Sequence, residues 1–363
     1  MRILYVTYEG RMAGAEQSLL LLLRHLRGCI EPVVACPSGS ELMSRCRDQG
    51  VTCQSLPPVG RCNALSKARC LRAAIYLRRI IKQVKPDIIH ANNFHAMAIS
   101  SLSRGLYGSR LIWHARDLPK LSLASKWCIG KAERIIAVSK AIKKSFVEIG
   151  VSDERIDVVY NGIDPPAHEQ ASTTAGSGHF TFACVGQLVQ WKNQQAYLEA
   201  AEVVHRQLPD ARLLLVGSDL FDRRDSYEGQ LKAMIESRRM SYVQCIGWQK
   251  DMKPIWRKTD CLVHTAHMEP FGRVLIEAMA HGRPVIAYAS GGPVEIVADG
   301  ESGLLVPFGD IEALSSAMLQ VVTDHDLAAA MGKIARKRAA GLFSAERTAE
   351  GVMAIYRRLL QVT

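Results

Sequence analysis

Short apolar segments alternate with helical segments along this sequence, and the alternation occurs twice. Seven segments in the first half have the length and composition of buried strands: Arg2–Thr7, Pro32–Cys36, Val51–Leu56, Asp87–Ala91, Arg110–His114, Arg134–Val138 and Val158–Tyr160. A second series follows: Thr181–Val185, Arg212–Val216, Val243–Ile246, Cys261–His264 and Gly303–Val306. Apolar strands separated by helices form parallel sheets with both faces covered. The sequence therefore predicts an α/β fold with two doubly wound parallel sheets.

A polar run at positions 168–178, rich in Ser, Thr, Ala and Gly, separates the two series of strands. A chain of 363 residues is too long for one ordinary core and suits two domains. We therefore predict a linker in this run. An amphipathic helix, Phe343–Leu360, is expected to close the chain.

Several residues suited to ligand binding fall at the predicted carboxyl ends of strands. They are Gly14, His114, Gly186, Gly217, Gly247 and Glu269. Ligands of doubly wound sheets bind in the crevice outside these ends. The pattern therefore predicts that the active site is built from the loops that follow the strands.

The stretch 269–292 contains the residues with the clearest ligand-binding potential. Its sequence predicts a loop, a helix, a turn, a strand and a glycine loop, in that order. Pro270 suits the first position of the helix. The first turn, Phe271–Val274, would leave backbone N–H groups that attract phosphate. Glu269 and Glu277, about two turns apart, would accept hydrogen bonds from ribose and sugar hydroxyls. The alternative is an acid favoured by the helix dipole and a second, solvated Glu.

The basic residues are concentrated in the first half of the chain. Residues 1–175 contain 25 Lys and Arg against 14 Asp and Glu, which accounts for the whole net charge of +11. This excess indicates an anionic partner, either a membrane surface or nucleic acid. The basic stretch Arg61–Lys85 lacks the aromatic platforms of nucleic-acid readers, so we expect anionic lipid and no nucleic acid. The apolar residues expected to pack this stretch on the sheet are Leu71, Ala74, Ile75, Ile81 and Val84.

No metal site is predicted from the spacing of potential ligands. Ten cysteines are scattered without a CxxC pair, and they read as free thiols of a cytoplasmic protein. The histidine pairs 90/95 and 264/267 lack further ligands at metal spacing, so all four read as ordinary histidines. Asp324-His-Asp326 resembles a metal-binding DxD sequence, but it precedes a helical run, and we expect a helix cap there.

Neither a secretory leader nor a membrane span is expected. The first ten residues read as a short buried strand, and no apolar run reaches the roughly 18 residues that a spanning helix requires.

Ten segments, taken in order, resemble the motifs of the family 4 (group 1) retaining glycosyltransferases of the GT-B fold. The most specific is Glu269-x7-Glu277, with PFG after the first Glu and EAMA around the second. The others are AGAEQSLL at Ala13, PDIIHANN at Pro86, WHARD at Trp113, AVSKAIKKSF at Ala137, VVYNGID at Val158, VGQLVQWKN at Val185, LLLVG at Leu213, IGWQKDM at Ile246 and ESGLLVPFGD at Glu301. The resemblance implies two Rossmann-like domains facing across a cleft. It divides them into an acceptor domain at 1–165, joined by a C-terminal helix at 345–363, and a donor domain at 166–344.

The resemblance also implies roles for individual residues. The implied catalytic residues are His114, Glu269 and Lys192, of which Lys192 contacts the diphosphate. Donor binding is implied for Gly14, Gln187, Lys192, Gly217, Trp248, Gln249, Glu269, Phe271, Gly272, Arg273, Val274 and Glu277. Asp117 and Glu16 are implied on the acceptor side. Gln187 stands where the family usually has Arg, and Arg273 is a candidate substitute cation.

The implied reaction is hexosyl transfer from a nucleotide-sugar with retention of configuration and without a metal or other cofactor. Fixed cations and backbone donors must then neutralise the diphosphate leaving group. The implied acceptor is a glycan or a lipid-linked glycan of polysaccharide or lipopolysaccharide synthesis, at the inner face of the plasma membrane. UDP-, GDP- and ADP-sugars all stay open as donors. An epimerase-like enzyme on the same fold and a homologue that only binds, because of Gln187, are the alternatives.

Overall fold

The computed structural model describes residues 1–8, 12–57, 64–103, 108–119, 122–166, 179–219 and 226–361. The chain forms two compact units. The N-terminal unit comprises Met1–Ile163 and Ala345–Thr363, and the C-terminal unit comprises Asp164–Ser344. The linker predicted at 168–178 lies outside the described residues.

Seven parallel strands form the sheet of the N-terminal unit. They are β1 (Arg2–Val6), β2 (Glu31–Pro37), β3 (Thr52–Leu56), β4 (Ile88–Ala91), β5 (Arg110–Ala115), β6 (Arg134–Ala137) and β7 (Ile156–Val158). The helices between them are α1 (Gly14–His25), α2 (Glu41–Asp48), α3 (Ala64–Val84), α4 (Phe94–Ser103), α5 (Leu123–Lys131) and α6 (Lys140–Glu148). The strand order β3-β2-β1-β4-β5-β6-β7 reverses between β1 and β4. This is the order of a Rossmann-like sheet, whose ligands lie at the point of reversal.

The C-terminal unit repeats the design with six parallel strands. They are β8 (Thr181–Val185), β9 (Arg212–Val216), β10 (Val243–Gly247), β11 (Cys261–His264), β12 (Val285–Tyr288) and β13 (Gly303–Val306). Its helices are α7 (Gln194–Gln207), α8 (Tyr227–Ser237), α9 (Lys253–Lys258), α10 (Arg273–Ala280), α11 (Pro293–Ile296), α12 (Ile311–Thr323) and α13 (His325–Leu342). The order β10-β9-β8-β11-β12-β13 reverses between β8 and β11. The predicted fold class, two doubly wound Rossmann-like sheets, is therefore confirmed for both units.

The last helix, α14 (Ala345–Gln361), belongs to the N-terminal unit although it follows the C-terminal unit in sequence. Its first backbone N–H, at Ala345, donates to the carbonyl of Ile163 at 3.0 Å, and the hydroxyl of Thr348 donates to the carbonyl of Tyr160 at 2.8 Å. Val352 and Tyr356 are buried in the core against α1 and the sheet. The helix begins two residues later than the expected Phe343.

Helix α10 starts later than its sequence suggests. It begins at Arg273, so Pro270 and Phe271 are not helical, and Glu277 lies only about one turn inside the helix. Glu269 pairs with Gly291 in an isolated parallel bridge, and its carbonyl accepts from the N–H of Gly292 at 2.7 Å. This pairing keeps the backbone before Gly272 extended. The predicted helix start at Pro270 is therefore wrong, because a contact distant in sequence overrides the local preference.

The predicted buried stripe of α3 is correct only in part. Ala74, Ile81 and Val84 are buried together with Ala73, Leu77 and Ile80. Leu71 and Ile75 instead share the solvent face of the helix with Tyr76, and Ile75 is 44% exposed. The buried residues repeat every three or four positions, as one face of a helix requires, whereas 71 and 75 fall outside that face.

Candidate active site

Lys192, His264 and Glu269 meet at the point where the strand order of the C-terminal sheet reverses. Lys192 follows β8, and the other two residues end or follow β11, the strand paired with β8. Oε2 of Glu269 accepts a hydrogen bond from Nζ of Lys192 and lies 3.0 Å from Nε2 of His264. Glu269 is 6% exposed and His264 is buried. The fold thus places a buried carboxylate between a cation and an imidazole at the predicted ligand crevice.

The charges of this cluster follow from burial and proximity. Burial alone would raise the pKa of Glu269, but the Lys192 ammonium and the His264 hydrogen bond lower it to about 2. Burial lowers the pKa of His264, although the neighbouring carboxylate opposes that shift. At neutral pH the cluster therefore holds an ionised carboxylate and a neutral imidazole that donates its Nε2–H to it. His264 was interpreted from the sequence as an ordinary histidine, and its place at the end of β11, five residues before Glu269, is the signal that was available.

Backbone contacts fix the loops that carry these side chains. The hydroxyl of Thr265 donates to the carbonyl of Lys192 at 3.1 Å, and the N–H of His267 donates to the carbonyl of Trp191 at 2.8 Å. A Cβ atom added to Gly291 would lie 2.3 Å from the carbonyl oxygen of Glu269. The glycine loop is therefore required because it packs directly against the backbone of the catalytic candidate.

Arg273 and Glu277 form an ion pair on α10, with Nη2 and Oε1 separated by 3.0 Å. Both were predicted to contact the donor, Arg273 as a substitute cation. The structure brings them together as each other's partner, one turn apart. Gly272, the N-cap of α10, has φ 104°, and a Cβ atom there would lie 2.7 Å from Cδ1 of Leu275. The left-handed backbone conformation thus favours glycine at the helix start.

The ends of β8 and β9 approach each other closely at two glycines. A Cβ atom on Gly217 would lie 1.8 Å from the carbonyl oxygen of Gly186, and the φ of Gly217 is 140°. Gln187, which follows, uses its carbonyl to accept from the side-chain amide of Gln194 at 2.8 Å. The main chain of Gln187 is thus held in place by the side chain of Gln194.

A cavity of about 210 Å³ opens beside Gly217 in the C-terminal unit. Its lining includes Leu188, Glu228, Lys232, Ile246 and Gly247. Trp248 and Gln249, predicted to flank the base, directly follow this lining; Trp248 is exposed, and the amide of Gln249 donates to the carbonyl of Ile246 at 3.2 Å.

Val274 lies in the first turn of α10, and Phe271 is buried just before it. The four remaining predicted site residues belong to the N-terminal unit. His114 is buried at the end of β5, and Gly14 starts α1. Glu16 is fully buried: its Oε1 accepts from the hydroxyl of Thr7 at 3.2 Å, and its Oε2 accepts from the N–H of Ala13 at 3.3 Å. Glu16 therefore caps α1, whereas Asp117 is exposed three residues after His114.

Asp324 caps α13, as predicted. Its Oδ1 accepts from the N–H of Leu327 at 2.9 Å. Among the residues that the structure describes, no group of three His, Cys, Asp or Glu side chains has the arrangement of a metal site.

Two family models match the chain. "Glycosyltransferase Family 4" matches residues 12–166, and "Glycosyl transferases group 1" matches residues 168–338. The matches together cover most of both units.

Similar proteins include two enzymes of lipopolysaccharide core biosynthesis. The glycosyltransferase LpsE of Rhizobium meliloti is 32% identical over 162 residues, which are 45% of each chain. The mannosyltransferase LpcC of Rhizobium leguminosarum bv. viciae is 26% identical over 281 residues, 75% of this chain and 78% of that one. Among solved structures, HepE of Anabaena in complex with UDP-glucose has a TM-score of 0.86 at 22% identity over 100% of both chains. This last likeness shows a shared fold.

Proposed function

The chain belongs to the family 4 (group 1) glycosyltransferases and has the two Rossmann-like domains of the GT-B fold, and on this premise we propose a specific reaction. In this reaction the protein transfers a hexosyl group from a nucleotide-sugar to a hydroxyl of a glycan or lipid-linked acceptor. The configuration of the sugar is retained, and no metal or other cofactor takes part. The names of LpsE and LpcC support a lipopolysaccharide core as the acceptor class. The UDP-glucose complex of HepE supports a UDP-sugar as the first donor to test.

The observation that carries this proposal is the contact between Lys192 and Glu269 at the strand reversal of the C-terminal sheet. A diphosphate leaving group needs a fixed cation where its charge develops, and Lys192 supplies one from a loop held by Thr265. The sugar, which becomes positively charged as the bond breaks, needs a carboxylate nearby, and Glu269 is ionised at neutral pH because its pKa is about 2.

The reaction that fits these groups is displacement on one face of the sugar. The acceptor hydroxyl forms the new bond to the anomeric carbon while the bond from that carbon to the diphosphate oxygen breaks. The proton of the hydroxyl passes to a phosphate oxygen of the leaving group. The products are the glycoside and the nucleoside diphosphate, and Glu269 stabilises the positive sugar without forming a covalent bond.

Two alternatives predict different products. An epimerase-like enzyme on this fold would convert the nucleotide-sugar without an acceptor. A homologue that only binds would hold the donor without turnover, as the replacement of the usual Arg by Gln187 suggests. Transfer is favoured because Lys192 and Glu269 are both present and in contact.

An anionic membrane surface is the partner we propose for the N-terminal unit. The solvent face of α3 combines the apolar Leu71, Ile75 and Tyr76 with exposed Arg72 and Arg79, whose guanidinium groups lie within 5.9 Å of the Tyr76 ring centre. On α5, Leu123 is 87% exposed and Trp127 is 42% exposed, next to Lys126 and Lys131. Mixed apolar and basic faces of this kind bind at the interface of anionic bilayers. No helix in the described part of the chain is long and apolar enough to cross a membrane.

A thermal-shift screen followed by product analysis tests the proposed function. UDP, GDP, ADP and their sugars are added to the purified protein, and one nucleotide series is expected to raise the melting temperature. At 100 times its Kd, a ligand adds about 2.7 kcal/mol to the unfolding free energy. The variant Glu277→Gln should weaken that shift, and Lys192→Gln should lower turnover by a factor of 10²–10³ or so, the scale of one preorganised donor.

The products decide between the three functions. Transfer requires that nucleoside diphosphate and a glycoside appear only when an acceptor is present. Conversion of the nucleotide-sugar alone would establish the epimerase-like alternative, and a thermal shift without any product would establish binding only. No shift with any nucleotide would contradict a donor site at Lys192 and Glu269.

A further inference from the structure

Four buried side chains connect helix α14 with the candidate catalytic His114. The hydroxyl oxygen of Tyr356, on α14, lies 2.6 Å from Nδ1 of His90, on β4. Nε2 of His90 lies 3.1 Å from Nδ1 of His114, on β5, and the hydroxyl oxygens of Tyr356 and Tyr5 are 3.1 Å apart. All four residues are at most 1% exposed, so water does not compete for these contacts.

Such a row of groups has only two self-consistent proton arrangements, because each neutral imidazole has one N–H donor and one acceptor nitrogen. In the first, Tyr356 donates to His90, and His90 donates to Nδ1 of His114. In the second, His90 donates to Tyr356, Tyr356 donates to Tyr5, and Nδ1 of His114 is the donor. The 3.1 Å contact between the two hydroxyls has this direction, so the first arrangement requires the Tyr356 hydroxyl to turn from Tyr5 to His90. The arrangement therefore decides which nitrogen of His114 carries the proton.

Arg116 selects the first arrangement. Its Nη2 lies 3.5 Å from Nδ1 of His114, and a guanidinium group only donates. The group is held in place because its Nε donates to Oδ1 of Asn92 at 3.0 Å and its Nη1 donates to Oδ1 of Asn161 at 2.7 Å. A proton on Nδ1 of His114 would face both this cation and the Nε2–H of His90. Nδ1 is therefore the acceptor, and the proton of His114 lies on Nε2.

Nε2 of His114 is buried and has no hydrogen-bond partner among the residues that the structure describes. A buried N–H donor without a partner destabilises the fold, and native proteins rarely keep one without a use. The ring lines a small cavity of the N-terminal unit together with Arg116 and Asn161. The Nε2 proton therefore lacks an acceptor, which a hydroxyl group of a ligand would supply.

We propose that Tyr356 and His90 are positioning residues, which hold His114 in the tautomer with its proton on Nε2 so that it donates a hydrogen bond to a hydroxyl group of the sugar substrate. The identity of that hydrogen-bond acceptor rests on the proposed function; the tautomer does not. A sugar hydroxyl is a fitting acceptor because its oxygen has lone pairs for an N–H, whereas a deprotonated Nε2 would only accept.

Burial and the nearby Arg116 keep His90 and His114 neutral, and burial keeps the Tyr356 hydroxyl protonated. Burial, with a contribution from Arg116, lowers the pKa of His90 to about 3 and lowers the pKa of His114 well below its ordinary value. Burial also raises the pKa of the Tyr356 hydroxyl well above its ordinary value. Both histidines are therefore neutral at physiological pH, and the tyrosine keeps the proton that it donates.

The test is NMR of the full chain with ¹⁵N-labelled histidine, because the ring nitrogens of the two tautomers differ in chemical shift and coupling. His114→Gln identifies the signals of His114 by their loss. In the wild-type protein we expect the proton of His114 on Nε2. In Tyr356→Phe, which removes one oxygen atom, we expect a substantial population with the proton on Nδ1 as well.

Tyr5→Phe is the matched control, since it removes an equally buried hydroxyl from the same pair but leaves Tyr356 free to donate to His90. We expect the wild-type tautomer in this variant. In a transfer assay, Tyr356→Phe should lower kcat/KM by about tenfold and Tyr5→Phe by less than twofold, the difference being one hydrogen bond.

Two results would overturn the proposal. One is a wild-type spectrum with the proton of His114 on Nδ1, which needs no variant and no activity. The other is an equal effect of Tyr356→Phe and Tyr5→Phe on the tautomer. That result would mean that both hydroxyls contribute only through packing and that Tyr356 has no specific effect on the proton of His114. If the tautomer is as expected but no donor is turned over, the proposed function fails and the tautomer assignment stands.

Discussion

Glu269 illustrates how one buried carboxylate is kept ionised without solvent. Two groups, Lys192 from the loop after β8 and His264 from the end of β11, share its Oε2. A buried ion pair stabilises a fold only modestly, but removing one partner leaves an uncompensated charge and costs several kcal/mol. The site is therefore sensitive to the loss of any member of the cluster.

We expect Glu269→Gln to destabilise the protein in a pH-dependent way. The folded-state pKa of about 2 lies below the ordinary value of 4.5. The carboxylate therefore stabilises the fold above pH 4.5, and this contribution is lost as the pH falls from about 5 to about 2. The shift corresponds to a contribution on the order of 3 kcal/mol at pH 7. Urea unfolding of wild type and variant across this pH range measures it.

A suitable control for this prediction is Glu41→Gln, which removes an exposed carboxylate paired with Arg45. Exposed pairs at this spacing contribute about 0.3–0.5 kcal/mol, so the control should cost no more than that at any pH. A difference between wild type and Glu269→Gln that stays constant from pH 7 to pH 2 would contradict the assigned ionisation.

At the residue scale the sequence predicted Lys192 and Glu269 as site residues, and the structure brings their side chains into contact. Lys192 and Glu269 were found by their place after strands and by resemblance to a family pattern. His264 was interpreted as an ordinary histidine; its place at the end of β11 was visible in the sequence, but its contact with Glu269 is visible only in the fold. The pairing of Arg273 with Glu277 was also missed, although a spacing of four on a helix permits it.

At the scale of elements, strand positions and the capped start of α13 followed from local pattern, whereas the start of α10 did not. The start of α10 depends on the pairing of Glu269 with Gly291, which lies across the following strand. Only the fold supplies that contact. The preference of Pro270 for a first helical position therefore gave the wrong start for α10. Asp324 was predicted correctly because capping depends on residues three positions apart.

We expect Asp324→Ala to lower the unfolding free energy by about 1 kcal/mol, since it removes the side-chain acceptor for the N–H of Leu327. Asp326→Ala, in the first turn of the same helix, should cost less, because only its interaction with the helix dipole is lost. Denaturant unfolding measures both. Loss of transfer in both variants, with unchanged folding, would instead indicate that this Asp-x-Asp sequence binds a metal.

At the scale of the whole molecule, the uneven charge of the sequence corresponds to basic surfaces on the N-terminal unit. The basic excess lies in the first 175 residues, and on α3 and α5 it surrounds exposed apolar side chains. The sequence predicted the excess but placed Leu71 and Ile75 on the buried side, because the phase of an amphipathic helix is ambiguous when both faces carry apolar residues.

We expect the full chain to float with anionic vesicles and not with neutral ones, and the recovery to fall as salt is raised, because exposed charges are screened. Ile75→Ser and Trp127→Ser should each reduce recovery. Ile334→Ser is the matched control, as Ile334 is 41% exposed on α13 of the C-terminal unit, against 44% for Ile75. Equal recovery from neutral and anionic vesicles would rule out the anionic surface as partner.

The contact between Gly186 and Gly217 limits how this enzyme can be engineered. A common route to heat resistance replaces glycine by alanine, which restricts the denatured chain. Here a methyl group added to Gly217 would lie 1.8 Å from the carbonyl oxygen of Gly186, so the replacement would push β8 and β9 apart; at Gly186 the positive φ of 155° disfavours alanine. A mutant library that spares these two positions and varies the side chains lining the neighbouring cavity would retain the scaffold while it tests whether that cavity binds the substrate.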